Sequence, residues 1–147
     1  MSSRGQPNPP GTDVLLITVM SIRQKEEATK ANLAHMERQL AEMQRKNKSP
    51  SEKNPIKRRI ARLRTERDQW PETIADVLTH WLLSLPSDPS GPLPTLPQEV
   101  KNQIPASLSN TRIARIEQEA YKKIQEKMKE EAAHNAQRSS HSSRRYA

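Results

Sequence analysis

Apolar residues recur at every third and fourth position along two long stretches of this chain, a period that favours helices packed along a shared seam. In the first stretch, the spaced positions hold Val19, Ile22, Glu26, Thr29, Leu33, Met36, Leu40 and Met43. Six of these eight are apolar. In the second, Ile56, Ile60, Leu63, Trp70, Ile74, Val77 and Trp81 keep the same spacing, with Arg67 at the one polar seam position. The segment 71–85 has the clearest amphipathic pattern: Ile74, Val77, Leu78, Trp81, Leu82 and Leu85 form one stripe, with Glu72, Asp76 and Thr79 off it. Taken alone, Val14 to Ile22 also suits a strand, because β-branched residues are frequent there. Its register runs on into the spaced positions, which favours helix.

Local signals place the boundaries. Residues 1–11 (MSSRGQPNPPG) read as a disordered leader, and Thr12 or Asp13 can cap a helix over about 13–46. The segment 47–55 (NKSPSEKNP) breaks that helix. It holds a capping box, Ser49-Pro50-Ser51-Glu52, and a second cap-plus-proline pair, Asn54-Pro55. A returning helix is expected from about Ile56. Pro71 falls inside it and predicts a kink or fresh start, giving segments at 56–69 and 71–85. Six prolines between 86 and 105 predict a stiff linker over 86–111, with room for one helical turn at Gln98–Gln103. A charged helix over 112–134 carries a thin stripe of Ile113, Ile116, Ala120, Ile124 and Met128. The Ser/Arg-rich residues 135–147 read as a disordered tail. The expected fold is all-α: a helical hairpin or antiparallel coiled coil over 12–85 with a kinked second arm, a Pro-rich linker, one further charged helix and disordered termini.

Only 32% of the residues are hydrophobic, and Phe is absent. A single hairpin then buries one narrow stripe, so the seam residues Leu33, Met36, Leu40, Ile60, Leu63, Trp70, Ile74, Val77, Leu78, Trp81 and Leu85 are expected to pair with a second copy, most simply as a dimer. Trp70 and Trp81 lie on that seam, which predicts core residues rather than stacking platforms for bases.

The formal net charge is +8, and it is distributed in blocks. Residues 56–70 alone carry +4, whereas residues 71–111 carry −3. On a helix that buries Ile56, Ile60 and Leu63, Arg58 and Arg62 lie on the far side. Arg59 then flanks one border, and Lys57 and Arg64 the other. Guanidinium forks pair bidentately with phosphate oxygens. The block therefore points to nucleic acid, RNA ahead of DNA, held by its backbone, with Arg144 and Arg145 of the tail assisting. The same residues also read as a solvated helix face or a nuclear localisation signal. In that case the chain is a coiled-coil adaptor or assembly subunit whose charge serves solubility or targeting. An anionic membrane surface, met by the 14–22 run, is a weaker alternative. The alternating Lys and Glu of 112–131 favour intrahelical pairs and a solvated surface.

No nucleophile–base pair, Gly-rich phosphate loop or metal-spaced histidine set is evident, so neither catalysis, a small-molecule substrate nor a cofactor is expected. Cys is absent, and the longest apolar run is too short to span a bilayer. The expected setting is a reducing intracellular compartment, with the nucleus or both nucleus and cytoplasm favoured.

One short segment, Lys48-Ser49-Pro50-Ser51-Glu52, resembles the pentapeptide found between the helices of the small basic silencing suppressors of cucumber-mosaic-type plant viruses. The resemblance covers five of 147 residues. Where that family carries a dense basic run before the pentapeptide, this chain has Arg45 and Lys46. The resemblance implies a helical viral accessory protein that binds short double-stranded RNA.

Overall fold

The start of the first helix is set by a glycine. Gly11 adopts φ +82°, a left-handed conformation open to glycine at little cost, and its carbonyl accepts the Leu15 N–H at 2.9 Å. Thr12, expected as a cap, is instead the first helical residue, and its hydroxyl donates back to the Pro9 carbonyl at 2.6 Å. The structure, a computed structural model, describes residues 9–85 and 95–145, with side chains described to residue 137. The leader 1–8 and the first part of the expected linker, 86–94, lie outside the described residues. Four helices are present among the described residues and no strand: α1 (Thr12–Arg45), α2 (Pro50–Ser84), α3 (Gln98–Gln103) and α4 (Asn110–Arg145).

The end of α1 is equally specific. Asn47 takes φ +53°, its N–H donates to Gln44 O, and the next N–H, of Lys48, reaches back to Met43 O at 3.0 Å. That pair of bonds is a Schellman motif, in which a left-handed residue satisfies the last carbonyls of the helix. The second helix then begins at Pro50, earlier than the expected Ile56. Ser49 is its cap residue and Pro50 occupies the first turn, where a missing N–H costs nothing. The capping-box side-chain bond does not form: Ser49 Oγ lies 3.0 Å from Ser51 Oγ, and Ser49 contributes its backbone carbonyl to Glu52 N and Lys53 N. Asn54-Pro55 falls inside the first turns of α2.

The expected division at Pro71 does not occur. The α2 helix is continuous from Pro50 to Ser84, through both Pro55 and Pro71. Proline in a helix interior costs about 3 kcal/mol. Here Pro71 is buried beside Ile74, Ala75, Leu78 and Leu82, whose packing holds the helix across the missing hydrogen bond.

α1 and α2 touch along much of their length. A Cβ at Gly11 would lie 3.4 Å from Trp81 Nε1, Thr29 Oγ1 lies 3.0 Å from Trp70 Nε1, and Glu37 pairs with Arg64 at 3.6 Å. Position numbers thus rise along one helix as they fall along the other. The core gathers Leu15, Val19 and Ile22 of α1 with Ile74, Ala75, Leu78 and Leu82 of α2. Leu96, Val100 and Leu108 then join it, followed by Ile113, Ile116 and Ala120 of α4. Trp70, Val77, Trp81 and Leu85 pack against its edge.

Two expectations are corrected by this core. The described part of the linker, from residue 95 on, is not an extended spacer. Leu96, Val100 and Leu108 are buried and Ile104 is half-buried, α3 forms at the expected Gln98–Gln103, and the Leu96 N–H donates to Glu117 Oε2 at 2.8 Å. The sparse apolar side chains between the prolines are what anchor it. The stripe 74–85, expected to face a second copy, is covered within one chain: Ile74, Leu78 and Leu82 are wholly buried by α1, α4 and the 96–108 segment. The 96–108 segment and α4 supply core material to this stripe from within the chain. Of the remaining seam residues, Leu33 and Ile60 are buried, while Met36, Leu40 and Leu63 are half-buried.

α4 passes its expected end at His134 and continues to Arg145. No glycine or proline interrupts residues 110–145, so nothing in that stretch supplies a stop signal.

Candidate nucleic-acid interface

Buried side chains stop abruptly toward the connection between α1 and α2. Between Leu33 and Ile60 no residue is buried, although both helices continue beyond these positions and meet at residues 46–49. The molecule therefore has a core built on one part of the helix pair and a solvated two-helix arm at the other.

The charge is concentrated on that arm. Residues 37–64 hold ten Lys and Arg against three Glu, a net +7 out of the chain's +8. Lys57, Arg58, Arg59, Arg62 and Arg64 are all exposed on α2. The fold brings Arg38, Arg45, Lys46 and Lys48 alongside them, residues that lie 10–20 positions before Arg58 in sequence and that a reading of the block alone leaves out. The available signal was the mild positive excess of residues 38–53, which becomes a single patch only when the chain turns back on itself.

Few of these cations are neutralised. Arg64 meets Glu37 at 3.6 Å, and Glu42 is shared by Arg45 at 3.4 Å and Lys46 at 3.3 Å. Lys57, Arg58, Arg59 and Arg62 make no ion pair among the described residues. The existing pairs are exposed, and such pairs are worth about 1 kcal/mol or less, so an arriving phosphate can displace them. Arg144 and Arg145 lie at the end of α4, outside the residues whose side chains are described.

At the core end of the arm lies a cleft of about 390 Å³, lined by Glu26, Lys30, Arg67, Asp68, Pro71, Glu72, Ser107 and Arg112. Its charges are already matched to one another. Lys30 Nζ and Ser107 Oγ hold the buried Glu26 carboxylate, and Arg67 Nε meets Asp68 Oδ1 at 3.0 Å. Arg112 grips both carboxylate oxygens of Glu72. Those hydrogen bonds hold the Glu72 carboxyl below its ordinary value and raise the Arg112 guanidinium above its own. Such a cleft has no surplus charge to offer a ligand.

The two tryptophans are half-buried. The Trp70 indole donates to Thr29 Oγ1, with Lys25 Nζ 5.9 Å from its ring centre. The Trp81 N–H is buried against the Gly11 turn and has no hydrogen-bond partner among the described residues. Neither ring lies on the arm between Leu33 and Ile60. Among the described residues no group of three His, Asp or Glu is arranged to hold a metal ion, and no helix is long and apolar enough to cross a membrane. A scan against protein-family models gives no match, and searches of curated proteins and of solved structures give none either.

Proposed function

We propose that this protein binds RNA or DNA through the sugar–phosphate backbone, using the α1–α2 hairpin arm as a cationic prong and the core that α1 and α2 share with α3 and α4 as its base. The observation that carries this reading is a net +7 on the 28 residues 37–64, in which Ile60 is the one buried side chain. A helical extension without a core of its own gains little stability from length, and its like charges repel one another, whereas a polyanion turns that repulsion into attraction. The arm offers guanidinium and ammonium groups with no Trp, Tyr or Phe ring among them, so recognition rests on charge and shape rather than on base identity.

The test is binding of labelled duplex and single-stranded RNA across a salt series. Affinity in the micromolar range or tighter, falling steeply with salt, supports the reading; no binding at low salt sinks it. The resemblance at Lys48–Glu52 would place the protein among RNA-binding viral accessory proteins, and a nuclear location suits the basic block. Both are tested by the same binding series together with imaging of the tagged chain.

A second reading is favoured by a different surface. Val14 and Ile17 are 69% and 66% exposed on α1, with Met20 on the next turn. An apolar patch at the end away from the arm suits an adaptor that grips a protein partner. Changing Arg38, Lys57 and Arg64 to Glu would leave partner capture intact in that case, and would abolish nucleic-acid binding in the first.

A further inference from the structure

The two faces of the arm are not equivalent. An α-helix turns about 100° per residue, so side chains can be placed by their offset from an inward reference, Leu33 on α1 and Ile60 on α2. For two helices running in opposite directions, offsets of the same sign fall on the same face of the pair. Observed contacts support this assignment. Glu37 and Arg64, both at about +40°, meet at 3.6 Å. Thr29 and Trp70, at about −40° and −80°, meet on the opposite face.

On the positive-offset face, Arg38 and Arg45 stand at about +140° and +120° on one rim, with Lys57 and Arg64 at about +60° and +40° on the other helix. Inside Arg38 and Arg45 on α1 come the small side chains of Ala34 and Ala41 and then Glu37, at about +40°, which pairs with Arg64; Ala61 lies outside Lys57 and Arg64 on α2. Ala34, Ala41 and Ala61 fall at about +80° to +100°, and all three are exposed. On the opposite face the corresponding positions carry long side chains, Gln39, Arg59 and Leu63, together with the carboxylates of Glu52 and Glu66 at about −80° and −120°. One face is thus a shallow channel whose basic rims, Arg38, Arg45, Lys57 and Arg64, hold the single carboxylate of Glu37 between them, and the other is filled and sets Glu52 and Glu66 against Lys46, Arg59 and Arg62. The channel is open at the arm tip. At the core end it is crossed by Ser107 and Arg112, which line the cleft together with Lys30 and Asp68 of this same face.

Resting on the nucleic-acid reading above, we infer that one sugar–phosphate strand lies lengthwise in this channel, its phosphates paired alternately with α1 and α2 cations, and that the opposite face is not a binding surface. Charge complementarity selects the occupant. The channel offers cations along both rims and no apolar wall, which suits a polyanion and does not suit an apolar peptide. The alanine floor lets the strand approach the helix backbones closely. The cations of α2 therefore divide: Lys57 and Arg64 face the strand, whereas Arg59 and Arg62 face away.

Two double variants of the full-length chain, equal in charge removed, test the division. Arg38→Gln with Lys57→Gln strips the channel, and Arg59→Gln with Arg62→Gln strips the other face. Glutamine keeps helix propensity, and circular dichroism checks that both variants fold. The probe is a labelled 20-nucleotide polyuridine RNA, titrated at several salt concentrations. The channel variant is expected to lose tenfold or more in affinity and to lower the salt slope by about 1.4, two contacts at about 0.7 each for a single strand. The opposite-face variant is expected to change affinity by less than threefold and to leave the slope unchanged. Equal losses in both variants would overturn the channel while leaving phosphate binding by the arm in place. No binding by the unaltered protein would overturn the nucleic-acid reading itself.

Discussion

Ser107 Oγ lies 2.8 and 2.9 Å from the two carboxylate oxygens of Glu26, although 81 residues separate them. Glu26 is only 1% exposed and occupies a seam position on α1 that its neighbours fill with Val19, Ile22 and Leu33. A carboxylate there is tolerated because Ser107 and Lys30, at 2.9 Å, satisfy it. The bond ties the segment before α4 to the middle of α1. Ser107→Ala leaves a buried acceptor short of a donor and is expected to cost about 1–3 kcal/mol in urea unfolding. Glu26→Leu removes the charge together with the need to solvate it and is expected to cost less than Glu26→Ala. The reverse order would show that the site does not accept a branched apolar side chain in place of the carboxylate.

Leu78 is wholly buried in a stripe shared by α1, α2 and α4 of one chain. Truncating such a side chain removes its burial and leaves a cavity. Leu78→Ala is expected to lower stability by about 2–5 kcal/mol. Because the stripe is satisfied internally, the melting temperature of this variant should not depend on protein concentration. A melting temperature that rises with concentration would place the stripe in an interface between copies.

The helical class of the fold and the inward stripes of α1 and α2 were legible because a 3-4 period leaves few alternatives, and Val19, Ile22, Leu33, Ile60, Ile74 and Leu78 are buried. The positions of Leu96, Val100 and Leu108 were not legible. Single apolar residues among prolines have no period, and their burial depends on a surface formed by helices distant in sequence. Glu117 misleads for a related reason. It reads as one more charge in an alternating helix, yet it is buried, with Oε1 3.5 Å from Lys101 and Oε2 accepting the Leu96 N–H. The basic block on α2 was visible directly, whereas the cations that α1 adds to it could be grouped only after the path of the chain was known.

Asn47 was read as part of a polar break, but its conformation does more. At φ +53° it closes the Schellman bonds that end α1 and start the turn into the arm's second helix. Asparagine reaches the left-handed region more readily than other residues with a Cβ, and glycine more readily still. Asn47→Gly should preserve or slightly raise stability, while Asn47→Val should lose about 1–2 kcal/mol. Hydrogen exchange at the Lys48 amide, which donates to Met43 O, reads the change locally. Equal protection in all three proteins would show that the turn does not depend on this residue.

Pro71 poses the sharper question, because a local penalty and a packing gain oppose each other at one position. Its nitrogen cannot donate to the carbonyl of Arg67 one turn earlier, and an interior proline costs about 3 kcal/mol relative to alanine. Its ring is buried near Ile74 and Ala75 and lines the cleft with Glu26 and Ser107. Replacing it with alanine gives up about two buried methylene groups, roughly 1.6 kcal/mol at 0.8 kcal/mol each. The helix penalty is the larger of the two. Pro71→Ala is therefore expected to stabilise the protein by about 1 kcal/mol, seen as a higher urea midpoint with an unchanged slope. A loss of stability would mean that the core around Ile74 and Ala75 is shaped to the course the proline imposes on α2, so that restoring the hydrogen bond forces those side chains out of register.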